Sequence, residues 1–215
     1  MESVKKKRSY HSPRRRHQAT RTRQDILDAA SQRFLADGFA ATTVGSIADD
    51  AGVSVDTIYK TYGGKAGLVR AIFESALAGE GPVHAEIRSD ELQLKEENPI
   101  DIVRGFGKLV TEVAPRAAPI LLLIQEAASS DGEMAVLEEE LNKLRLQRMT
   151  DNASSLGAAG HLRSDLSVER AAQVSWVYTS PELYQMLVLK LGWSIDDFGD
   201  FVADALIAAL LPADE

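Results

Sequence analysis

The chain has 215 residues, 45% of them apolar and 26% charged, with a formal net charge of -8. That length supports one large domain or two small ones around a sizeable buried core, and the absence of cysteine excludes a disulfide scaffold and any thiolate zinc or iron–sulfur site. No apolar run approaches the ~18–20 residues of a membrane span, and no apolar stretch follows the basic N-terminus as in a secretory signal, so a cytoplasmic protein that avoids the membrane is expected.

Charge is unevenly spread. Residues 1–79 hold 13 Lys/Arg against 8 Asp/Glu, whereas residues 80–215 hold 11 against 24. Only the first part is therefore suited to approach a polyanion. Lys5-Lys6-Lys7-Arg8 and Arg14-Arg15-Arg16 lie in a stretch almost without apolar residues, so 1–20 reads as a basic disordered arm. Such an arm serves either as a solubilising tail or as a contact to phosphates or the minor groove, and charge alone does not choose.

From Thr22 onward the apolar period is helical. Ile26, Leu27, Ala30, Phe34 and Leu35 give the first apolar face, and Gly38 ends that helix. Thr43 caps a short helix stopped by Gly52, and Ser54 caps a second from Val55 to Tyr62, closed by Gly63-Gly64. A fourth runs from Lys65 to Leu77. The composition changes at Gly79–Pro82, which divides the chain into a unit at 21–81 and a larger one at 82–215. Residues 83–97 fit a helix or a loop. Asn98-Pro99 starts a helix that Pro115 and Pro119 should break before Ala128. Another covers Glu133 to about Ser155, with Val136 or Leu137, Leu141 and Leu144 inward, and 156–164 is loop. Ser167 caps a long helix to Leu191, kinked or restarted at Pro181, and the last helix spans 195–211. No strand-like alternation of useful length occurs, so the fold class is all-α.

Residues 43–62 have the mechanics of a helix-turn-helix. Ile47 and Ala48 face inward, Ala51 permits a close crossing, Gly52 supplies the positive φ, and Val53 plugs the turn. Ile58 anchors the second helix, leaving Val55, Asp56, Thr57, Tyr59, Lys60 and Tyr62 outward. Thr57 can meet a thymine methyl, a base edge or a phosphate, Tyr59 and Tyr62 can donate to phosphate, and Lys60 can neutralise phosphate or read guanine. Lys65 opens the following helix, whose amides favour an anion. Thr43, Ser54 and Val55, at the helix starts, complete the candidate DNA contacts. Asp56 opposes phosphate unless it caps locally or accepts from cytosine.

The pattern Thr43-x3-Ile47-Ala48-x2-Ala51-Gly52-Val53-Ser54-x2-Thr57-Ile58-Tyr59-x2-Tyr62-x2-Lys65-x2-Leu68, continued upstream through Ile26-Leu27-x2-Ala30-x3-Phe34-x3-Gly38-Phe39-x2-Thr42, resembles the DNA-binding domain of the TetR family of bacterial transcriptional regulators. It covers about residues 20–80. Two positions depart from the family: Tyr62 stands where Phe is usual, and Ala66 where Glu is usual. Gly45 leaves the helix before the turn little side chain for base readout. Ala127-x-Ser129-Ser130-Asp131 and Trp176-x2-Thr179-Ser180-Pro181-Glu182-Leu183-Tyr184 resemble the C-terminal part of one branch of the family.

The resemblance implies an N-terminal three-helix DNA-binding domain and a larger helical domain for ligand and dimer. It further implies a homodimer formed through helices 167–191 and 195–211, a palindromic double-stranded operator, and release of a repressor by an unknown small-molecule effector. Val174, Val177, Leu187, Leu191, Phe198, Phe201, Val202, Ile207 and Leu210 supply more apolar surface than one monomer face needs. Phe106, Leu109, Val113, Leu122, Met149 and Trp176 are candidate pocket walls, although such residues on helices are commonly just core. The four histidines, His11, His17, His84 and His161, have no ligand-spaced partner. No catalytic motif is present: Gly63-Gly64-Lys65-Ala66-Gly67 lacks the length and hydroxyl of a phosphate loop. Neither a metal, a cofactor nor an enzyme is expected.

Overall fold

The computed structural model describes residues 13–78 and 83–213, the side chains of 13–17 excepted. Among the described residues all regular structure is helical. Helices α1 (Pro13–Ala41), α2 (Val44–Ala51), α3 (Val55–Tyr62) and α4 (Lys65–Ala78) form the N-terminal group. They are followed by α5 (Ala85–Lys95), α6 (Pro99–Ala128), α7 (Gly132–Ala158), α8 (Val168–Tyr178), α9 (Pro181–Tyr184) and α10 (Ile195–Leu210), with a π-helical turn at Gln185–Lys190. No described helix is long and apolar enough to cross a membrane.

Local chemistry accounts for most boundaries. Gly38 interrupts α1 with φ 80°, a conformation that costs glycine little. Thr43 accepts from the Ser46 amide at 3.0 Å, and Ser46 Oγ accepts from the Thr43 amide, a reciprocal cap. Ser54, Asn98, Asp131, Ser167, Ser180 and Ser194 each cap the helix that follows. Pro181 stands at the first position of α9, where its missing N–H is not needed.

Two expectations change, and two alternatives are decided. Helix α1 begins at Pro13, inside the stretch read as a disordered arm. A proline start followed by Arg, Gln and Ala, all good helix formers, lets the amphipathic helix behind it propagate backward. Residues 1–12, with Lys5–Arg8 and His11, lie outside the described residues, as does the composition change at 79–82. Of the helix and the loop left open for 83–97, the helix is found, as α5 at Ala85–Lys95. Helix α6 runs through Pro115 and Pro119 without a break. A proline costs a helix interior about 3 kcal/mol, and here the burial of Ala117, Ala118, Ile120, Leu123 and Ile124 opposes that loss. The restart expected at Pro181 is found: the helix from Ser167 ends at Tyr178, the Ser180 hydroxyl accepts from the Leu183 amide, and a new helix starts at Pro181.

Two apolar clusters hold the molecule. The first joins Ile26, Phe34, Ile47, Ile58, Leu68, Ile72 and Phe73 of α1–α4 to Ala117, Ile120 and Ile124 of α6 and Leu137 and Leu141 of α7. The second packs the N-terminal half of α6 against the end of α7, α8, α9 and α10 through Ile102, Val103, Leu156, Phe198, Val202 and Leu206. Helices α6 and α10 approach most closely at Gly107 and Gly199: a Cβ on Gly107 would lie 2.7 Å from the Gly199 carbonyl oxygen. Apolar packing therefore passes without interruption from the N-terminal helices into the larger bundle.

Candidate functional site

The turn between α2 and α3 is built as its residues dictate. Gly52 sits at φ 64°, and the Val53 amide donates to the Ala48 carbonyl at 3.0 Å. Ser54 Oγ accepts from the Thr57 amide at 3.2 Å and shares a 2.8 Å hydrogen bond with Thr57 Oγ1. Ile58 is completely buried. That single anchor turns the opposite face of α3 outward, with Val55, Asp56, Tyr59, Lys60 and Thr61 exposed and Tyr59 at 53%. Thr43 and Ser54 are exposed at the two helix starts, and Thr57 is half-buried.

Two side chains on this surface are already committed. Lys60 Nζ donates to Asp56 Oδ2 at 2.6 Å, one helical turn away, with both side chains at least 70% exposed. Asp56 thus screens the one lysine that α3 presents, and an exposed pair of this kind is held weakly. Tyr62 is turned inward: half-buried against the first cluster, it donates from its hydroxyl to the Arg23 carbonyl at 3.4 Å. Burial pushes its phenol above the usual value, against a smaller opposing effect of Arg23.

Lys65 also points inward. Its ammonium donates to the Phe39 carbonyl at 2.5 Å and the Thr42 carbonyl at 3.0 Å, and stands 4.1 Å from the centre of the Phe39 ring. It ties the start of α4 to the chain entering α2. Nearby, Arg33 grips Asp50 with two hydrogen bonds of 2.6 and 3.1 Å and clasps α1 to α2. The Arg33 hydrogen bond holds the Asp50 carboxyl below the usual carboxylate range. Neither latch was found by motif reasoning, which assigned Lys65 to phosphate and gave Arg33 no role.

Behind α4, the larger bundle encloses a cavity of about 400 Å³, within the range of small-molecule sites. Phe73 and Leu77 of α4 form one wall, opposite residues of α6, α7 and α10. Of the six residues expected there, Phe106, Leu109, Val113 and Met149 line it, and Leu122 and Trp176 do not. Leu122 is turned about 100° from the lining Leu121, one residue along a helix. Trp176 faces an outer groove between α7 and α8 and is separated from the cavity by Arg145, whose guanidinium lies 5.3 Å from the ring centre.

The sequence reading missed the polar part of this cavity. Arg148 donates to Asp90 at 2.5 Å, to Ser89 Oγ at 3.2 Å and to Asn152. Arg145 donates to the Thr179 carbonyl at 3.1 Å. A signal was available: Arg145, Arg148 and Asn152 continue the Leu137–Leu141 stripe at helical spacing. Leu144, read as inward, is exposed, and so is Val136. A second exposed apolar set, Val177, Met186, Leu189, Leu191 and Trp193, lies at the end of α8 and around the π-helical turn; Phe198, Val202 and Leu210, expected as surplus surface for a second copy, are instead buried within the monomer against α6, α7 and α8.

Comparisons with known proteins agree with this geometry. The family model described as bacterial regulatory proteins, tetR family, matches residues 26–72, from the first apolar face of α1 into α4. The HTH-type transcriptional regulator AcrR of Shigella flexneri is 29% identical over 204 residues, covering 91% of this chain and 93% of that one. The solved SmeT–triclosan complex superposes with a TM-score of 0.69 at 20% identity, covering 89% of this chain and 92% of SmeT. NalD of Pseudomonas aeruginosa, a secondary repressor of the MexAB-OprM multidrug efflux pump, superposes with a TM-score of 0.68 at 18% identity over 91% of this chain and 98% of NalD.

Proposed function

Because the chain belongs to the TetR family of bacterial transcriptional regulators, we propose that it is a cytoplasmic homodimeric repressor released from a palindromic operator by a small molecule. The reading divides the chain into a DNA-binding unit at 21–81 and an effector and dimer unit at 82–215. The observation that carries it is the pairing of an outward-facing α3, its inner face anchored by the buried Ile58 and by Tyr62, with a cavity whose wall includes α4.

In a dimer, two copies of α3 enter successive major grooves about 34–36 Å apart. Val55, Thr57 and Tyr59 approach bases and sugar–phosphate, Lys60 exchanges Asp56 for phosphate, and Thr43 and Ser54 sit where the helix starts meet the backbone. Tyr62 and Lys65 hold α3 and α4 in place, and amides of the first turn of α4 are left for phosphate. The basic arm adds electrostatic attraction. The unpartnered Val177, Met186, Leu189, Leu191 and Trp193 supply the apolar surface that a second copy would cover. The likeness to NalD, a secondary repressor, and to SmeT, solved with triclosan, supports a repressor that responds to a small molecule. Nothing in this role calls for catalysis.

For such a compound to release DNA a hundredfold, it must favour the non-binding conformation by about 2.7 kcal/mol. Selection of bound sites from a random DNA pool tests the proposal, and a palindromic consensus with half-sites one helical turn apart is expected. Tyr59→Ala and Lys60→Ala should weaken binding to that consensus without dissociating the dimer. Absence of any selected sequence would overturn the reading.

A further inference from the structure

The cavity's polar side is asymmetric in charge. Arg148 is matched by Asp90, but Arg145 forms no ion pair among the described residues and makes one hydrogen bond, to the Thr179 carbonyl. A guanidinium has five N–H donors, so most of those on Arg145 have no protein acceptor. Burial lowers its pKa, partly offset by Glu182, whose own carboxylate accepts from Gln125. The other acids on the cavity, Glu86 and Asp151, are exposed at its rim, and Asp151 accepts from Gln147 at 2.8 Å. The opposing walls are Phe73, Phe106, Val113, Met149 and Phe198. An apolar chamber thus ends at a largely buried cation that no carboxylate contacts as an ion pair among the described residues.

Resting on the effector reading above, we propose that the cavity recognises an amphipathic carboxylate, its apolar body among the phenylalanines and its carboxylate on the guanidinium of Arg145. A carboxylate accepts both parallel N–H groups of an arginine, a geometry that an alcohol cannot reproduce, and it relieves the cost of leaving the cation unpaired. Trp176, stacked against Arg145, reports the event.

The test uses the full-length protein at about pH 8, where carboxylic acids are ionised. Binding is followed by tryptophan fluorescence and calorimetry. Decanoate is compared with 1-decanol and decyltrimethylammonium, and biphenyl-4-carboxylate with biphenyl-4-methanol. At least one acid should bind about tenfold or more tightly than its alcohol, the scale of one charge-assisted hydrogen bond. Arg145→Gln should erase that preference while alcohol binding persists. Equal binding of acid and alcohol in both series, tighter binding of the ammonium, or a preference that survives Arg145→Gln overturns the proposal. Should the variant unfold, the wild-type acid and alcohol pairs still decide. A protein that shifts its selected DNA but prefers no acid refutes this inference alone. One that shifts no DNA refutes the regulator reading, and the ligand comparison still settles the cavity's chemistry.

Discussion

Replacing Lys65 by methionine separates two physical roles for this residue. The substitution keeps the length and the apolar stem but removes the ammonium, and with it the hydrogen bonds to the Phe39 and Thr42 carbonyls and the contact with the Phe39 ring. Hydrogen bonds from a charged donor contribute about 1.5–3 kcal/mol each, and an exposed cation–π contact about 0.5–1 kcal/mol. Lys65 is only half-buried, so water can replace part of this, and a net loss of about 2 kcal/mol is expected. For a chain of this size that corresponds to about 4–8 °C in melting temperature, read by circular dichroism at fixed protein concentration because a dimer's stability depends on it. A lysine that bound phosphate would behave differently: its loss would reduce the slope of log affinity against log salt by about 0.9. The structure predicts an unchanged slope, weaker binding at every salt concentration, and a lower melting temperature. An unshifted melting temperature with a slope lowered by about 0.9 would refute the latch and restore Lys65 to the phosphate backbone.

Tyr62→Phe removes a long hydrogen bond to the Arg23 carbonyl but keeps the ring in the first cluster, so stability and operator affinity should stay within about 0.5 kcal/mol of wild type; a tenfold loss of affinity in a gel shift would mean that the hydroxyl touches DNA. Asp50→Asn should lower the melting temperature near neutral pH by loosening the clasp with Arg33. Because the folded carboxyl is held below its ordinary value, its contribution is present above about pH 4 and disappears as pH falls through the folded pKa. The difference from wild type should therefore begin to narrow below about pH 4 and shrink steadily with further acid, and a gap of constant size across the acid range would refute the pairing. Arg116→Met removes the hydrogen bond to the Ala76 carbonyl at 3.1 Å and should reduce the ligand-induced change in operator affinity about fivefold, a coupling loss of about 1 kcal/mol, while ligand affinity itself holds. An unchanged ratio of operator affinities with and without ligand would sink that assignment.

The turn was legible because short-range chemistry decides it. Gly52, Val53 and Ser54 each do one local thing, and Ile58 follows at the spacing that buries it. The caps at Thr43, Ser54 and Ser167 were legible for the same reason. What the sequence concealed depends on partners distant in the chain. Lys65 finds carbonyls 23 and 26 residues away, and no local pattern distinguishes that from a lysine facing phosphate. The prolines of α6 read as breakers because propensity counts only the helix itself, whereas Ala117, Ala118 and Ile120 are buried against other helices. At the cavity, a heptad-like reading put Leu144 inward. Leu144 is exposed at the cavity's edge and Arg145 is the more buried of the two, an unusual residue for a core register and for that reason a clue to function.

The same contacts explain how the cavity could govern the DNA surface without a long relay. Phe73 belongs both to the first cluster and to the cavity wall, so anything that fills the cavity presses directly on α4. The start of α4 is bound through Lys65 to the carbonyls beside α2, and its far end through Arg116 to α6. Helix α4 is therefore held at both ends, with Arg70 paired to Glu140 of α7 between them, and a ligand against Phe73 and Leu77 acts on the half nearer Arg116. Arg116 lies between Pro115 and Pro119, which remove two of the backbone hydrogen bonds that would stiffen α6 at that level, and cavity-lining residues Val113, Ala114, Ala117, Ala118 and Leu121 flank the same point. The weaker grip is the one on the softened helix. Displacement should then begin as a bend of α6 that carries the end of α4 with it, leaving Lys65 as the pivot about which α3 changes its aim.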